Sequence, residues 1–433
     1  MPGNWTEPDW AKALQLKFSE ERTNMATVVM VGTLDTKGKE YDFLRDRLRQ
    51  HEVETILVDT GIMEEPQAEP DITREEVARE AGADVEELAA IGDRGAAVET
   101  MAQGTGEVLQ RLYEEGRLDG VLGLGGSGGS ALVTQAMREL PVGVPKLMVS
   151  TMASGDTRPY VGAVDVTMMY SVVDIAGINQ VSAKILSNAA GAIAGMAKSE
   201  TPESQEGKPL VGASMFGVTT PAVETARERL EELGYEVLVF HATGTGGQSM
   251  EALMHDGFLS AALDLTTTEL ADDLVGGVLS AGPNRLEAAG ELGLPQVVSL
   301  GALDMVNFGP EESVPQEFRD RNLYVHNPTV TLMRTTAEEC AELGRRIARK
   351  LNVSTGPVTL FIPLQGVSLI DAEGQPFHDP DADRALFDAL REHLDENVEV
   401  EEMEANVNDP EFATAMAERL HEHYQNWSRD EES

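Results

Sequence analysis

Asp119-Gly120-Val121-Leu122-Gly123-Leu124-Gly125-Gly126-Ser127-Gly128-Gly129-Ser130 begins as a short apolar strand and runs into a loop with four glycines in five residues. Ala131, Leu132, Thr134, Gln135, Ala136 and Met137 then continue in a helical pattern. Strand, glycine loop and helix, in that order, make an anion site. Glycines let backbone N–H groups approach a phosphate closely, and the helix N-terminus adds positive potential. A lone glycine more often only permits a tight turn; a cluster directly after a strand favours phosphate. A second such loop, Thr243-Gly244-Thr245-Gly246-Gly247-Gln248-Ser249, follows the apolar strand Val237–Phe240. One loop in each half of the chain points to a protein that holds a phosphorylated or carboxylated small molecule.

Upstream of the first loop, Ala26–Val31 reads as a strand, Glu40–His51 as a helix and Thr55–Asp59 as a strand, a β-α-β opening. The loop between them, Gly32-Thr33-Leu34-Asp35-Thr36-Lys37-Gly38-Lys39-Glu40, comes close to a Walker A motif. Its spacing is one residue too long, and Glu40 stands where Ser or Thr would bind Mg²⁺, so a P-loop NTPase is rejected. The loop still lies at the carboxyl end of the first strand, where open α/β sheets bind ligands. Thr33, Asp35 and Thr36 there either meet a ligand or cap the next helix. Downstream, Lys146–Ser150 reads as a strand, followed by the hydroxyl-rich Thr151–Tyr160, and Val161–Val173 as a further strand.

Thr201–Pro209 is the clearest linker, and the same grammar restarts after it. Leu210–Met215, Glu236–Phe240, Phe258–Asp264, Gln296–Leu300, Leu323–His326, Val358–Pro363 and Val398–Met403 read as strands. Helices are expected over Ser249–His255, Thr331–Leu351, Asp381–Leu394 and Pro410–Tyr424, and Gly301–Phe308 is expected as a loop. Alternating β and α implies parallel sheets. The expectation is an α/β chain of two Rossmann-like domains, residues 26–200 and 210–425, with a cleft between them. An N-terminal extension (1–25), the linker (201–209) and an acidic tail (426–433) complete it.

Charge is the outlying feature: 33 Lys+Arg against 75 Asp+Glu, a net of −42. Such a field makes nucleic acid and anionic membranes poor partners. The acid is dispersed, which suits a halophilic surface adapted to high salt better than an interaction tail. With the single cysteine Cys340, no internal disulfide is possible, which fits a reducing cytoplasm. Cys340 in a helical stretch reads as a small buried hydrophobe. No run is long enough to span a membrane. No Cys/His set has zinc spacing, and no metal site is expected.

Candidate chemistry sits at other strand ends. His326 in His326-Asn327-Pro328-Thr329 suits acid/base work. Arg334, one turn into the expected helix, either clamps an anion or pairs with one of the many acids, and the ion pair is favoured in so acidic a chain. Asp264, before Thr266, Thr267 and Thr268, is a third candidate.

Gly32–Gly38, Gly125–Gly129, Pro145–Gly155, Asp264–Leu270 and His326–Thr336 together resemble an uncharacterised, widely distributed protein family, over residues 26–425. It is typified by the N-terminal ATP-binding region of the tomato mosaic virus resistance protein. The resemblance implies two Rossmann-like domains, binding of ATP, with or without Mg²⁺, and homodimers. By matched motif it implies nucleotide contacts at Gly125, Gly126, Ser127, Gly128, Gly129, Thr33, Asp35 and Thr36, with Thr151 and Ser154 as neighbours. The loop Gly244, Thr245, Gly246 and Gly247 would hold a second ligand. A rival expectation is an enzyme acting on a small carboxylated or phosphorylated metabolite in the cleft, with His326 as acid/base, Arg334 as clamp and Asp35 or Asp264 as metal ligand.

Overall fold

The computed structural model describes residues 25–91, 93–200 and 207–431. The expected N-terminal extension, except Met25, and most of the expected linker lie outside the described residues. The chain divides into two compact units, residues 1–203 and 204–433.

In the first unit, β1 (Thr27–Gly32), β2 (Glu54–Asp59), β3 (Gly120–Gly125), β4 (Lys146–Ser150) and β5 (Thr167–Tyr170) form one sheet in the order β2-β1-β3-β4-β5. Every pairing is parallel. The apolar runs alternate between two cores. Val29 and Val31 pack on one face with Val121 and Met148. Val28 and Met30 pack on the other with Leu122 and Leu147. A sheet covered on both faces needs continuously apolar strands, which is why β1 and β3 read as unbroken runs.

The second unit holds β6 (Leu210–Met215), β7 (Glu236–His241), β8 (Ala261–Thr266), β9 (Gln296–Gly301), β10 (Met305–Phe308), β11 (Leu323–Asn327), β12 (Val330–Arg334), β13 (Val358–Pro363) and β14 (Glu399–Met403). Six form a parallel sheet in the order β14-β13-β9-β8-β6-β7. Both units are doubly wound, Rossmann-like α/β domains. In each, the first strand is followed by a neighbour on one side and the next strand lies on the other, so a topological switch point falls between β1 and β3 and between β6 and β8.

Several local expectations are corrected. β10, β12 and β11 form a small antiparallel sheet, so 301–308 is not only loop and the helix expected from Thr331 starts at Ala337. Asn327 explains the change: its side chain accepts from the Thr329 backbone N–H at 2.8 Å, closing a turn, and β-branched Val330 and Thr331 continue as strand. Arg334 therefore ends a strand. Within Val161–Val173 only β5 is extended, because Gly162 takes a φ of +59° and Asp165 turns back to the buried Lys146 ammonium at 2.8 Å. The last helix runs Pro410–Glu431, so most of the expected tail is helical. Among the described residues no helix is long and apolar enough to cross a membrane. Cys340 is buried, and burial pushes its thiol up to about 11, which keeps it protonated.

Candidate ligand site at the first switch point

β1 and β3 pair only as far as Val31 and Gly123. Beyond that point the buried Tyr41 hydroxyl stands between them. It donates to the Val31 carbonyl and accepts from Leu124 N–H at 3.0 Å. Burial raises its pKa, so the hydroxyl stays protonated. A side chain on Gly32 would collide with the Tyr41 ring, which accounts for that glycine. The two strand ends are thus splayed by a fixed wedge, and each carries one of the loops singled out from sequence.

After β1 the helix begins at Leu34, earlier than expected, and runs to Gln50 with non-helical angles at Lys37. Thr33 is its N-cap residue, and the Thr33 and Thr36 hydroxyls bond each other at 2.9 Å. Asp59, at the end of β2, accepts from Leu34 N–H at 3.0 Å and Gly61 N–H at 2.9 Å, fastening the helix start to the neighbouring strand. Burial raises the pKa of Asp59. Asp35 Oδ2 accepts from Met63 N–H at 3.1 Å, while its Oδ1 is buried with no partner among the described residues.

After β3, Gly126 is the N-cap of the helix Ser127–Met137, so the last glycines lie in the first helical turn and not in a free loop. Ser130 N–H bonds the Gly126 carbonyl at 2.8 Å, and among the described residues nothing accepts from the amides of Ser127, Gly128 and Gly129. Three first-turn donors at a positive helix end make an anion seat. Gly125 is needed for the sharp entry, since a Cβ there would lie 3.0 Å from Gly129 Cα. Beneath the loop, the Ser130 and Ser150 hydroxyls bond at 2.6 Å and Ser150 Oγ accepts from Met152 N–H at 2.9 Å.

Both loops line one cavity of about 570 Å³. Thr33, Asp35, Thr36 and Lys37 stand on one side, and Gly126, Ser127, Gly128 and Gly129 on another. Ile62, Met63, Leu88, Val98, Met101 and Leu132 supply an apolar wall. Thr151 and Ser154 do not line it; a Cβ on Gly126 would stand 3.8 Å from Thr151 Oγ1, so Thr151 only backs the loop. Lys37 Nζ bonds the Ile175 carbonyl at 2.6 Å beside the cavity. Sequence reasoning missed Thr60, Ile62 and Met63, although they follow β2 at its carboxyl end. The wall from 88–101 carries no local signal, because helical apolar residues read the same whether they face a core or a cavity.

The second glycine loop has another fate. It follows β7, at the sheet edge, and from Thr245 it is the first turn of the helix Thr245–His255. Gly244 and Gly247 N–H donate to Glu269 Oε1 at 2.7 and 3.1 Å. Glu269 Oε2 takes Arg285 Nε–H at 2.7 Å. Arg285 also donates to both oxygens of Asp264 and to Glu251 Oε1 at 3.0 Å. The anion in this loop is therefore the chain's own carboxylate.

The three catalytic candidates hold separate partners. Asp264 is buried on Arg285. Arg334 is buried against Asp383 at 2.6 Å and Asp371 at 3.2 Å, the ion pairing favoured from composition. His326 is exposed on the β11–β12 hairpin. Among the described residues no hydrogen bond or ion pair joins any two of them.

Known proteins are similar along nearly the whole chain. Residues 26–202 match the N-terminal domain, and 208–424 the C-terminal domain, of "Uncharacterised protein family (UPF0261)". A UPF0261 protein of Clostridium tetani is 55% identical over 394 residues, covering 91% of this chain and 98% of that protein. The ToMV resistance protein Tm-1(GCR237) of Solanum lycopersicum is 46% identical over 332 residues, which cover 75% of this chain but 44% of the tomato protein. Among solved structures, the UDP-GlcNAc 2-epimerase of Neisseria meningitidis bound to UDP-GlcNAc is 10% identical and covers 63% of this chain and 82% of its own, with a TM-score of 0.21. So low a score carries no argument.

Proposed function

Because the chain belongs to the uncharacterised protein family UPF0261, whose name supplies no activity, we propose from the site itself that its first domain binds a nucleotide, ATP or a close relative. The observation that carries this reading is the cavity at the β1–β3 switch point, where three unpartnered first-turn amides face a space walled by apolar side chains. The amides and helix end suit a phosphate. The apolar wall suits a planar base, and the hydroxyls of Thr33 and Thr36 supply polar contacts between the two. Ligand sites of this kind are mostly apolar with a few placed polar groups. The resemblance seen in the sequence implies contacts at these same residues and narrows the phosphorylated ligand to ATP.

Calorimetric titration of ATP, with and without Mg²⁺, tests the reading in molar KCl, which screens the net charge of −42. Gly126→Val is the control variant. Gly126 has extended backbone angles and a Cβ there meets nothing closer than Thr151 Oγ1 at 3.8 Å, so a side chain is accommodated, and a side chain at the N-cap lies beside the first-turn amides. Binding to the wild type and its loss in the variant are expected. Assay of the same samples for ADP separates an enzyme from a binding module. A folded wild type that takes up no ATP overturns the proposal.

A further inference from the structure

The cavity holds a second set of unmet hydrogen-bonding groups, away from the glycines. Asp35 Oδ1 and Thr60 Oγ1 are both buried without a partner among the described residues, and both residues line the cavity. Asp35 is 4% exposed and Thr60 2%. Leaving such groups unsatisfied is costly, so a ligand is the natural source of the missing bonds. The carboxylate is also rigidly held. Its Oδ2 is fixed by Met63 N–H at 3.1 Å, and Gln67 Nε2 fixes the Asp35 carbonyl at 2.6 Å. A Cβ on Gly61 would stand 2.7 Å from Asp35 Cγ, so only glycine lets the β2 loop close over it.

Position decides what these groups receive. Asp35 is packed against the loop after β2, on one side of β1, whereas the anion seat follows β3 on the other side. Asp35 itself follows β1, the strand next to β3, and its side chain turns towards the β2 loop, away from the glycines. Among the described residues no group of three or more His, Cys, Asp or Glu side chains is arranged to hold a metal ion, and Asp35 Oδ2 already accepts a backbone amide. A carboxylate and a hydroxyl beside a phosphate seat suit a hydroxylated sugar joined to its phosphates by a phosphoester chain. Asp35 Oδ1 can only accept, and Thr60 Oγ1 can accept or donate. Resting on the nucleotide reading above, we infer that Asp35 and Thr60 form a ribose subsite that recognises the 2′- and 3′-hydroxyls of the bound nucleotide. Asp35 accepts from one hydroxyl and Thr60 bonds the other. The cavity thereby selects ribonucleotides over inorganic phosphate, acyl phosphates and deoxygenated nucleotides.

The test compares ATP with 2′,3′-dideoxy-ATP by calorimetry on the unmodified protein. The dideoxy compound is expected to bind on the order of 10- to 100-fold more weakly, the effect of losing hydrogen bonds to a buried carboxylate. In Asp35→Asn, which keeps the shape and loses the charge, the discrimination falls to a few-fold. Thr60→Val removes an unpartnered hydroxyl, so it is expected to raise the urea midpoint of the protein while weakening ATP several-fold and leaving dideoxy-ATP unaffected. Equal affinity for the two nucleotides overturns the subsite and leaves nucleotide binding standing. Equal affinity that vanishes for both without Mg²⁺ also overturns it, in favour of a cation at Asp35. A Thr60→Val protein with unchanged stability and unchanged ATP affinity removes Thr60 from the subsite. Failure of ATP itself to bind overturns the parent reading.

Discussion

The two glycine loops are written in the same residue types, and both follow a strand and open a helix, yet one faces a cavity and the other is closed. Ser127, Gly128 and Gly129 present amides to a space of about 570 Å³. Gly244 and Gly247 present theirs to Glu269, whose side chain is fully buried and paired with Arg285. Position in the sheet separates them. The first loop follows β3, beside the switch point, where helices leave in opposite directions and open a crevice. The second follows β7, an edge strand with a neighbour on one side only. Glycine-rich strand–helix turns offer free amides in both places; at the sheet edge the chain's own carboxylate takes them, and at the switch point they stay open to the cavity.

The largest effect should follow from removing the cation that closes the second loop. Arg285 is 1% exposed and serves Asp264, Glu269 and Glu251 at once. Arg285→Met leaves these carboxylates without a counter-charge, which costs roughly 3–5 kcal/mol when a buried pair loses one partner. Hydrogen exchange provides the readout within the intact chain. In the wild type, the Gly244 and Gly247 amides should exchange slowly and those of Ser127–Gly129 quickly until ATP is added. In Arg285→Met, protection at Gly244 and Gly247 should collapse while the first domain is unchanged. Retained protection would mean that the internal carboxylate holds the loop without the Arg285 cation.

The same acid-rich region should show in the pH dependence of stability. Asp272, three residues beyond Glu269, is pushed up to about 7 by burial, with the Glu269 charge adding to the rise and hydrogen bonds from Asn307 opposing it. Its folded pKa lies above the unfolded value near 4, so the folded state binds a proton that the unfolded chain has lost. That contribution is complete below about pH 4 and is lost as pH rises through about 7, with a slope of at most about 1.4 kcal/mol per pH unit. Burial raises Asp304 and Asp371 as well, so the wild-type slope is a sum. Urea unfolding of Asp272→Asn between pH 4 and 8 should show a shallower fall than the wild type. Parallel curves would place the proton elsewhere.

Much of this architecture was legible because parallel strands covered on both faces are apolar throughout, and the turns between them are marked by glycine and hydroxyl residues. The strands Leu210–Met215, Lys146–Ser150 and Val358–Pro363 could be bounded to the residue for that reason. The β11–β12 hairpin could not. Thr331–Arg334 is too short to separate a period of 2 from one of 3.6, although Thr336 and Glu339 form a capping box that marks the true helix start. Pairing of Arg334 with acid followed from charge balance, but which acids did not, since Asp371 and Asp383 lie 37 and 49 residues away in sequence. Glu269 was visible only as the end of the Thr266–Glu269 cluster. Nothing local says that its carboxylate turns back 25 residues to Gly244. The Thr33–Thr36 and Gly126–Gly129 halves of the candidate site were legible from strand ends alone, whereas Leu88, Val98 and Met101 reach the cavity only through helix packing.

A matched pair of substitutions gives the sharpest and smallest effects. A Cβ on Gly247 would run into the Glu269 carboxylate and lie 2.7 Å from Arg285 Nε, in a place where neither group can yield without breaking an ion pair. Gly247→Ala should therefore cost about 1–3 kcal/mol, as overpacking does. Gly126 has extended angles and open space around a Cβ, so Gly126→Ala should change stability by no more than about 0.5 kcal/mol. An N-cap side chain lies beside the first-turn amides, so ATP affinity should fall while the unfolding curve stays in place. Glycine at 247 is then required by the protein's own anion, and glycine at 126 by a ligand's. Equal losses of stability at the two positions would erase that distinction and return the first loop to an ordinary tight turn.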